Sequence, residues 1–168
     1  MNRIFLTGYM GSGKSAMGRL LAGRLGYSFI DLDHYIEGKF RKTIAQIFKE
    51  EGEEVFREKE KLSLREVGDF EKVVVATGGG APCFFDSMDY MNQQGVTIYL
   101  KLSPEQLVAR LLKGKAGVRP LITGKSPEEL LQLIETMLEK RSPFYEKAQY
   151  IIQGTDQEII DQINVFGI

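Results

Sequence analysis

Residues 8–15 read Gly8-Tyr9-Met10-Gly11-Ser12-Gly13-Lys14-Ser15 and match the phosphate-binding pattern G-x-x-x-x-G-K-[ST] at every fixed position. An apolar segment at residues 4–7 precedes this loop, and apolar residues with helical spacing follow it up to Leu25. The pattern requires this order of strand, loop and helix. Glycines allow the backbone N–H groups to turn towards a phosphate, and the start of the helix adds a favourable dipole. Since Lys14 would reach the β- and γ-phosphates and Ser15 would ligate Mg²⁺, the segment predicts binding of a nucleoside triphosphate.

Composition limits the kind of protein that the chain can be. Its 168 residues are 43% hydrophobic and 27% charged, which is typical of a single globular domain. The formal net charge of −1 gives no reason to expect nucleic acid as a partner. One cysteine, Cys83, excludes an intrachain disulfide, and no apolar run approaches the roughly 20 residues of a membrane span. The chain enters its first predicted strand almost at once, without a targeting segment. We therefore expect a monomeric, cytoplasmic enzyme with no membrane partner.

Strand-like and helix-like segments alternate along the chain, which favours an α/β fold with a parallel sheet. The run at residues 73–76 is apolar throughout, as expected for a central strand that is covered on both faces. Helix-start signals occur at Thr43, Ser103 and Ser126, and the two serines are each followed by a proline and by the third-position Gln or Glu of a capping box. The predicted strands are residues 4–7, 28–31, 72–77, 97–100 and 150–153.

Two segments interrupt this alternation. The stretch at about residues 34–66 is helical throughout and too long for one crossover, so we expect a small helical subdomain over the edge of the sheet. The segment at about residues 113–125 is rich in glycine and lysine and lacks apolar periodicity. In a fold that transfers phosphate, such a segment is typical of a lid that closes over the substrates.

Asp31 ends the second predicted strand, and Asp33 follows it on a segment that is expected to stay extended. Residues i and i+2 of an extended segment point to the same side, and at the carboxyl edge of a parallel sheet that side is the ligand crevice. One carboxylate is therefore expected to contribute to a Mg²⁺ site and the other to accept a hydroxyl proton from a substrate. The alternative is a solvated pair of aspartates that caps the following helix.

Three consecutive glycines, Gly78, Gly79 and Gly80, follow the third predicted strand. Such a run is unfavourable unless some group must approach the backbone closely, and this edge of the sheet would face the substrate and the γ-phosphate. The D-x-x-G turn that is typical of GTPases does not occur here. The alternative is a loose turn without a function.

Four arginines are candidate ligands for an anionic substrate. Arg57 lies in a highly charged helical segment, Arg110 precedes the predicted lid, Arg119 lies within the lid, and Arg141 lies near the end of a long helix. Guanidinium groups suit both a carboxylate and a phosphoryl group in transfer. Taken singly, each arginine is more readily explained as a surface residue. The single histidine and the single cysteine provide no cluster for zinc.

Together these segments resemble the shikimate kinases, a family of small P-loop kinases. The resemblance extends over nearly the whole chain. The phosphate loop is common to many families, whereas the other elements in this order are far more specific. Besides the phosphate loop, the resemblance rests on residues 29–33, 44–48, 52–57 and 76–80, on Arg119-Pro120-Leu121, and on residues 141–145.

The resemblance implies ATP-dependent phosphorylation of the 3-hydroxyl of shikimate, a step in chorismate and aromatic amino acid biosynthesis. Shikimate and ATP are then the substrates, and Mg²⁺ is the cofactor. The implied fold is a three-layer α/β P-loop fold with a five-stranded parallel sheet in the order 2-3-1-4-5, flanked by helices. A helical substrate-binding subdomain and a closing lid complete it.

Carried over by position, the resemblance implies a role for each candidate residue. Lys14, Asp33 and Arg119 form the catalytic set, with Asp33 as the candidate base, and Ser15 and Asp31 belong to the metal site. The implied ATP-binding residues are Gly11, Ser12, Gly13, Lys14, Ser15, Ala16, Arg110 and Arg119. The implied shikimate-binding residues are Asp33, Arg57, Gly78, Gly79, Gly80 and Arg141, of which the two arginines clamp the carboxylate.

Residues 153–156 depart from the family pattern, in which the turn that contacts adenine often contains a proline. Adenine contacts beyond Arg110 therefore stay open. Two other functions also stay open, namely a related kinase for a carbohydrate or a nucleotide, and a nucleotide-dependent binding protein without transferase activity. The acceptor-side residues argue against the first, and the complete phosphate-loop set with both aspartates argues against the second.

Overall fold

A computed structural model describes residues 2–114, 123–154 and 156–165 of the chain. The described residues form five strands and seven α-helices. The strands are β1 (Arg3–Thr7), β2 (Ser28–Asp31), β3 (Val73–Ala76), β4 (Val96–Lys101) and β5 (Tyr150–Gln153). The helices are α1 (Lys14–Leu25), α2 (Leu32–Phe40), α3 (Ile44–Gly68), α4 (Ser87–Gln94), α5 (Pro104–Lys113), α6 (Pro127–Tyr145) and α7 (Asp156–Val165).

All five strands pair in parallel, in the order β2-β3-β1-β4-β5. The expected fold class and strand order are thus confirmed. β3 begins one residue later than predicted because Lys72 has a φ of 51°, which is incompatible with an extended strand. β4 extends one residue beyond the prediction at each end.

The central strands separate two apolar layers. Val73 and Val75 of β3 are fully buried on one face of the sheet, together with Phe5 of β1. Val74 lies between them in sequence and packs on the opposite face, with Leu6 of β1. This alternation explains why the strand is apolar at every position, since both of its faces are covered.

The three predicted helix starts are confirmed. Thr43, Ser103 and Ser126 each accept a hydrogen bond from the backbone N–H three residues later, and each forms a complete capping box. Helix α3 is interrupted at Gly52, whose φ of 85° lies in the region that favours glycine. No described helix is long and apolar enough to cross a membrane.

Helices α2 and α3 fill the long helical stretch expected between β2 and β3, and they pack against each other. Their role as a substrate-binding subdomain stays a prediction. Most of the predicted lid falls on residues 115–122, which lie outside the described residues, and Arg119 is among them. The parallel sheet brings the ends of β1, β2 and β3 to one edge, and each of these ends carries a predicted site segment.

Candidate active site

The phosphate loop joins β1 to α1 in the conformation that its glycines were expected to permit. Gly11 has a φ of 83° and Gly13 a φ of 92°, both in the left-handed region. A Cβ atom at Gly8 would lie 2.9 Å from the carbonyl oxygen of Leu100, so the loop also needs a glycine where it passes β4. Ser12 is buried beneath the loop. The backbone of this segment is therefore preformed for an anion.

Lys14 lies at the start of α1 with its ammonium group folded over the loop. Its Nζ donates hydrogen bonds to the carbonyl oxygens of Gly8 at 2.7 Å and Tyr9 at 3.0 Å, and the residue is only 9% exposed. A cation is thus held among the backbone groups that would surround a phosphate. Ala16, in the first turn of the same helix, lines the adjoining cleft.

Ser15 and Asp31 are in direct contact across the cleft. The Ser15 hydroxyl donates a hydrogen bond of 2.7 Å to Oδ2 of Asp31. The other carboxylate oxygen of Asp31 accepts a hydrogen bond from the backbone N–H of His34 and caps helix α2. Asp31 therefore combines the helix-capping role named as an alternative with the predicted position beside the phosphate loop.

The expectation that Asp31 and Asp33 both lie on an extended strand is wrong. Because Asp31 caps α2, the helix begins at Leu32, and Asp33 lies in its first turn. Both aspartates nevertheless line the same cleft. Burial raises the pKa of Asp33 and the neighbouring charge of Asp31 adds to this rise, whereas Lys14 opposes it.

The three glycines after β3 each leave room for a charged side chain. A Cβ atom at Gly78 would lie 2.8 Å from Oδ1 of Asp33, and one at Gly79 would lie 3.2 Å from Nη1 of Arg141. At Gly80 it would lie 2.5 and 2.6 Å from the terminal nitrogens of Arg57. The alternative of a loose turn is wrong, because three ionisable side chains pack against this backbone in the space that Cβ atoms would otherwise fill. We call residues 78–80 the glycine segment.

Arg57 is buried, so the alternative that it belongs to a solvated helix face is wrong. It is 8% exposed, and its Nη1 donates a hydrogen bond of 2.8 Å to Oε1 of Glu60, one turn further along α3. Its guanidinium carbon lies 4.1 Å from the ring centroid of Phe84, a distance suited to a cation–π interaction. Phe56 and Phe48 lie at 5.1 and 5.9 Å. The Nε atom is buried without a hydrogen-bond partner among the described residues, and the Glu53 carboxylate lies 3.6 Å from it.

Arg141 and Arg110 approach the site from helices α6 and α5. Arg141 lies on α6, with its guanidinium carbon 5.7 Å from the centroid of the Tyr9 ring. Arg110 lies on α5 and donates a hydrogen bond of 2.8 Å to Asp156, which belongs to the turn expected near adenine. One of its nitrogens also lies 3.0 Å from the position that a Cβ of Gly13 would take. Arg110 thus joins the phosphate loop to the predicted adenine side.

A single open cleft brings most of these residues together. Arg57 and Arg141 do not line it but approach the glycine segment from α3 and α6, and Gly80 at the end of that segment also lies outside its lining. Of the predicted site residues, the cleft is lined by Gly11, Gly13, Lys14, Ser15, Ala16, Asp31, Asp33, Gly78, Gly79 and Arg110.

Three residues in this site escaped prediction: Glu60, Phe84 and Tyr145. Glu60 is 3% exposed, and burial raises its pKa to about 7 although Arg57 opposes the rise. Tyr145 is fully buried, and its hydroxyl donates a hydrogen bond to the carbonyl oxygen of Gly79. Two of these residues could have been found from the sequence, because residues three or four apart share one face of a helix. Glu60 is three residues from Arg57, and Tyr145 is four residues from Arg141. For Phe84 no such signal exists.

Comparisons with known proteins agree on one family. A family model described as shikimate kinase matches residues 10–165. A shikimate kinase from Bacteroides fragilis is 56% identical over 163 residues, which cover 97% of this chain and 90% of that protein. A crystal structure of shikimate kinase from Bacteroides thetaiotaomicron matches with a TM-score of 0.91 and 47% identity, over 98% of this chain and 96% of that one. Shikimate kinase from Acinetobacter baumannii in complex with shikimate matches with a TM-score of 0.84 and 36% identity, over 99% of this chain and 90% of that one.

Proposed function

The chain belongs to the shikimate kinase family, and we propose that the cleft between the phosphate loop and the glycine segment is where it phosphorylates shikimate. The activity is ATP-dependent transfer of a phosphoryl group to the 3-hydroxyl of shikimate, in aromatic amino acid biosynthesis. The strongest support for this location is the approach of Asp33, Arg141 and Arg57 to three consecutive glycines beside a phosphate loop. That arrangement offers a base and two cations to an acceptor that bears hydroxyls and a carboxylate.

On the nucleotide side, the phosphate loop and the first turn of α1 bind the phosphates of ATP. The backbone N–H groups of residues 11–16 surround the phosphates, and Lys14 neutralises the charge that develops on the transferred group. Arg110 lies between the loop and the turn at Asp156, which suits a contact near the adenosine moiety. Arg119 keeps its proposed role in catalysis, although it lies outside the described residues.

The oxygen atoms of Ser15 and Asp31 fit a Mg²⁺ ion. A hydroxyl oxygen and a carboxylate oxygen lie 2.7 Å apart in the cleft, and magnesium prefers such hard oxygen ligands. Ser15 and Asp31 would hold the ion beside the phosphates. When bound, it would stabilise negative charge on the phosphate oxygens.

On the acceptor side, Arg57 and Arg141 bind the shikimate carboxylate and Asp33 holds the hydroxyl that reacts. A guanidinium group matches the geometry of a carboxylate, and the cation of Arg57 is kept in place by Glu60 and the surrounding aromatic rings. Asp33 accepts the proton of the 3-hydroxyl as the oxygen attacks the γ-phosphorus, and the bond from that phosphorus to the bridging oxygen breaks to release ADP. Its raised pKa makes the carboxylate a stronger base for this step.

A coupled assay of ADP release tests the reaction directly. With Mg²⁺ and ATP, release is expected with shikimate but not with gluconate or without an acceptor. Turnover with gluconate alone would favour a carbohydrate kinase, and ATP binding without turnover on any acceptor would favour a binding protein. Monomeric state and cytoplasmic location stay predictions.

The proposed carboxylate clamp is tested by Arg57→Ala with Arg65→Ala as the matched control. Arg65 lies on the same helix but forms a half-exposed ion pair with Asp86. We expect Arg57→Ala to raise the KM for shikimate by about thirtyfold or more, because truncating one partner of a buried charge pair costs about 2–5 kcal/mol. The KM for ATP should change little in either variant. An unchanged shikimate KM in Arg57→Ala would remove this residue from the substrate site.

A further inference from the structure

Tyr145 joins the end of helix α6 to the glycine segment. It is 0% exposed, and its ring packs against Tyr99 with the ring centroids 5.0 Å apart. Its hydroxyl donates a hydrogen bond to the carbonyl oxygen of Gly79. Burial raises the pKa of Tyr145, so the hydroxyl keeps its proton and remains a donor.

The same hydroxyl also interacts with Arg141. The charge of Arg141 lowers the pKa of the Tyr145 hydroxyl, against the larger effect of burial, so the guanidinium group lies near this hydroxyl. The two residues are four apart on α6, so their side chains lie on one face of the helix, one turn from each other. Two side chains from one face of α6 therefore meet at Gly79, with the Tyr145 hydroxyl on its carbonyl oxygen and Nη1 of Arg141 3.2 Å from the position that a Cβ would take.

The peptide bond between Gly79 and Gly80 transmits this contact across the glycine segment. The carbonyl of Gly79 and the N–H of Gly80 belong to one planar trans peptide and point in opposite directions. A hydrogen bond that fixes the carbonyl therefore also fixes the direction of the Gly80 N–H. The two residues of this peptide adjoin different arginines, with Arg141 beside Gly79 and Arg57 beside Gly80.

A glycine peptide needs such a restraint more than any other. Without Cβ atoms, Gly79 and Gly80 have access to many backbone conformations, and ordering them is entropically unfavourable. A buried donor from a helix end selects one orientation before the substrate arrives, which lowers the loss of freedom on binding.

We propose that Tyr145 is a positioning residue that holds the Gly79–Gly80 peptide and Arg141 in the arrangement that binds shikimate. It does not touch the reacting atoms. The role rests on the proposed function, because it concerns the acceptor side of the same cleft.

The variant Tyr145→Phe tests this role, because phenylalanine keeps the ring in the core and removes only the donor. Loss of a hydrogen bond to a buried carbonyl is expected to raise the KM for shikimate roughly tenfold. The KM for ATP should stay within about twofold, since the phosphate loop keeps its own contacts. Amide hydrogen exchange at Gly80, followed by NMR, should accelerate roughly tenfold as the peptide is released.

Tyr99→Phe is the matched control. It removes the same atom from a buried tyrosine whose ring centroid lies 5.0 Å from that of Tyr145, and Gly79 keeps its hydrogen bond from Tyr145 in this variant. If the shikimate KM and the exchange rate at Gly80 changed in both variants in proportion to their loss of melting temperature, the effect would be one of general packing. That result would overturn the proposal. Unchanged exchange at Gly80, or faster exchange with an unchanged shikimate KM, would also overturn it. If the unmodified protein released no ADP with shikimate, the proposed function would fail, whereas unchanged exchange would still refute the restraint by Tyr145.

Discussion

Replacing Glu60 by glutamine is expected to remove a pH dependence from the stability of the fold. Glu60 is 3% exposed, and burial raises its pKa from 4.5 to about 7, against the opposing charge of Arg57. Between these two values the folded state binds more protons at this carboxyl than the unfolded state does. The stabilisation by the bound proton is therefore fully present below about pH 4.5 and is lost as the pH rises through 7.

The size of this effect follows from the rise in the pKa. An increase from 4.5 to about 7, at about 1.36 kcal/mol per pH unit, corresponds to about 3 kcal/mol. The interval from pH 5 to pH 8 contains about 2.5 kcal/mol of this change. Glutamine is neutral at every pH and has nearly the same shape. The parent loses this stabilisation as the pH rises, and Glu60→Gln does not. The free energy of unfolding of Glu60→Gln minus that of the parent should therefore increase by about 2.5 kcal/mol between pH 5 and pH 8.

Urea unfolding followed by circular dichroism at pH 5, 6, 7 and 8 measures the difference. Glu53→Gln is the matched control, because Glu53 also contacts Arg57, at 3.6 Å, but its side chain is 60% exposed. The pKa of Asp33 is also raised by burial, and Asp33 is present in the parent and in both variants, so comparison with the parent removes its direct contribution. The same pH slope in the parent and in Glu60→Gln would refute the reasoning, as would a slope lost equally in Glu53→Gln.

Three further substitutions separate the proposed roles. Asp33→Asn should lower kcat by about a hundredfold or more while ATP affinity, measured by calorimetry, stays nearly the same, and equal turnover would remove Asp33 from the mechanism. Ser15→Ala removes the hydroxyl that contacts Asp31 and should raise the Mg²⁺ concentration for half-maximal rate about tenfold, with the shikimate KM unchanged. Gly80→Ala places a Cβ within 2.8 Å of three guanidinium atoms of Arg57 and should weaken shikimate binding but not ATP binding in the same titrations. Normal shikimate binding by Gly80→Ala would contradict the geometry of the glycine segment.

The sequence predicted the phosphate loop and the strands because both depend on local signals. Apolar runs of the right length mark the strands, and the glycine and lysine pattern specifies one loop conformation. Asp33 was placed in the right cleft but on the wrong element. Because Asp31 caps α2 through the N–H of His34, the helix begins at Leu32, two residues earlier than a segment extended through Asp33 would allow. This change of element does not carry Asp33 away from the cleft.

The burial of Arg57 could not be predicted from its neighbours. Residues 53–60 are so rich in charge that a solvated helix face is the natural interpretation. The side chain is covered because Phe84, which lies 27 positions away on the segment after β3, packs against its guanidinium group. Such a contact exists only once the fold has formed, and the unusual pKa of Glu60 follows from the same burial.

The glycine segment shows why a motif can be recognised before its physical reason is known. Three glycines in sequence indicate that something must approach the backbone, and a ligand is the usual expectation. Here the protein's own side chains already make that approach, with a carboxylate at Gly78, one guanidinium at Gly79 and a second at Gly80. Each position therefore has a different neighbour, and the three glycines are not interchangeable. A side chain at any one of them would displace a particular charge, which links the backbone of a single short segment to the base and to both cations of the acceptor site.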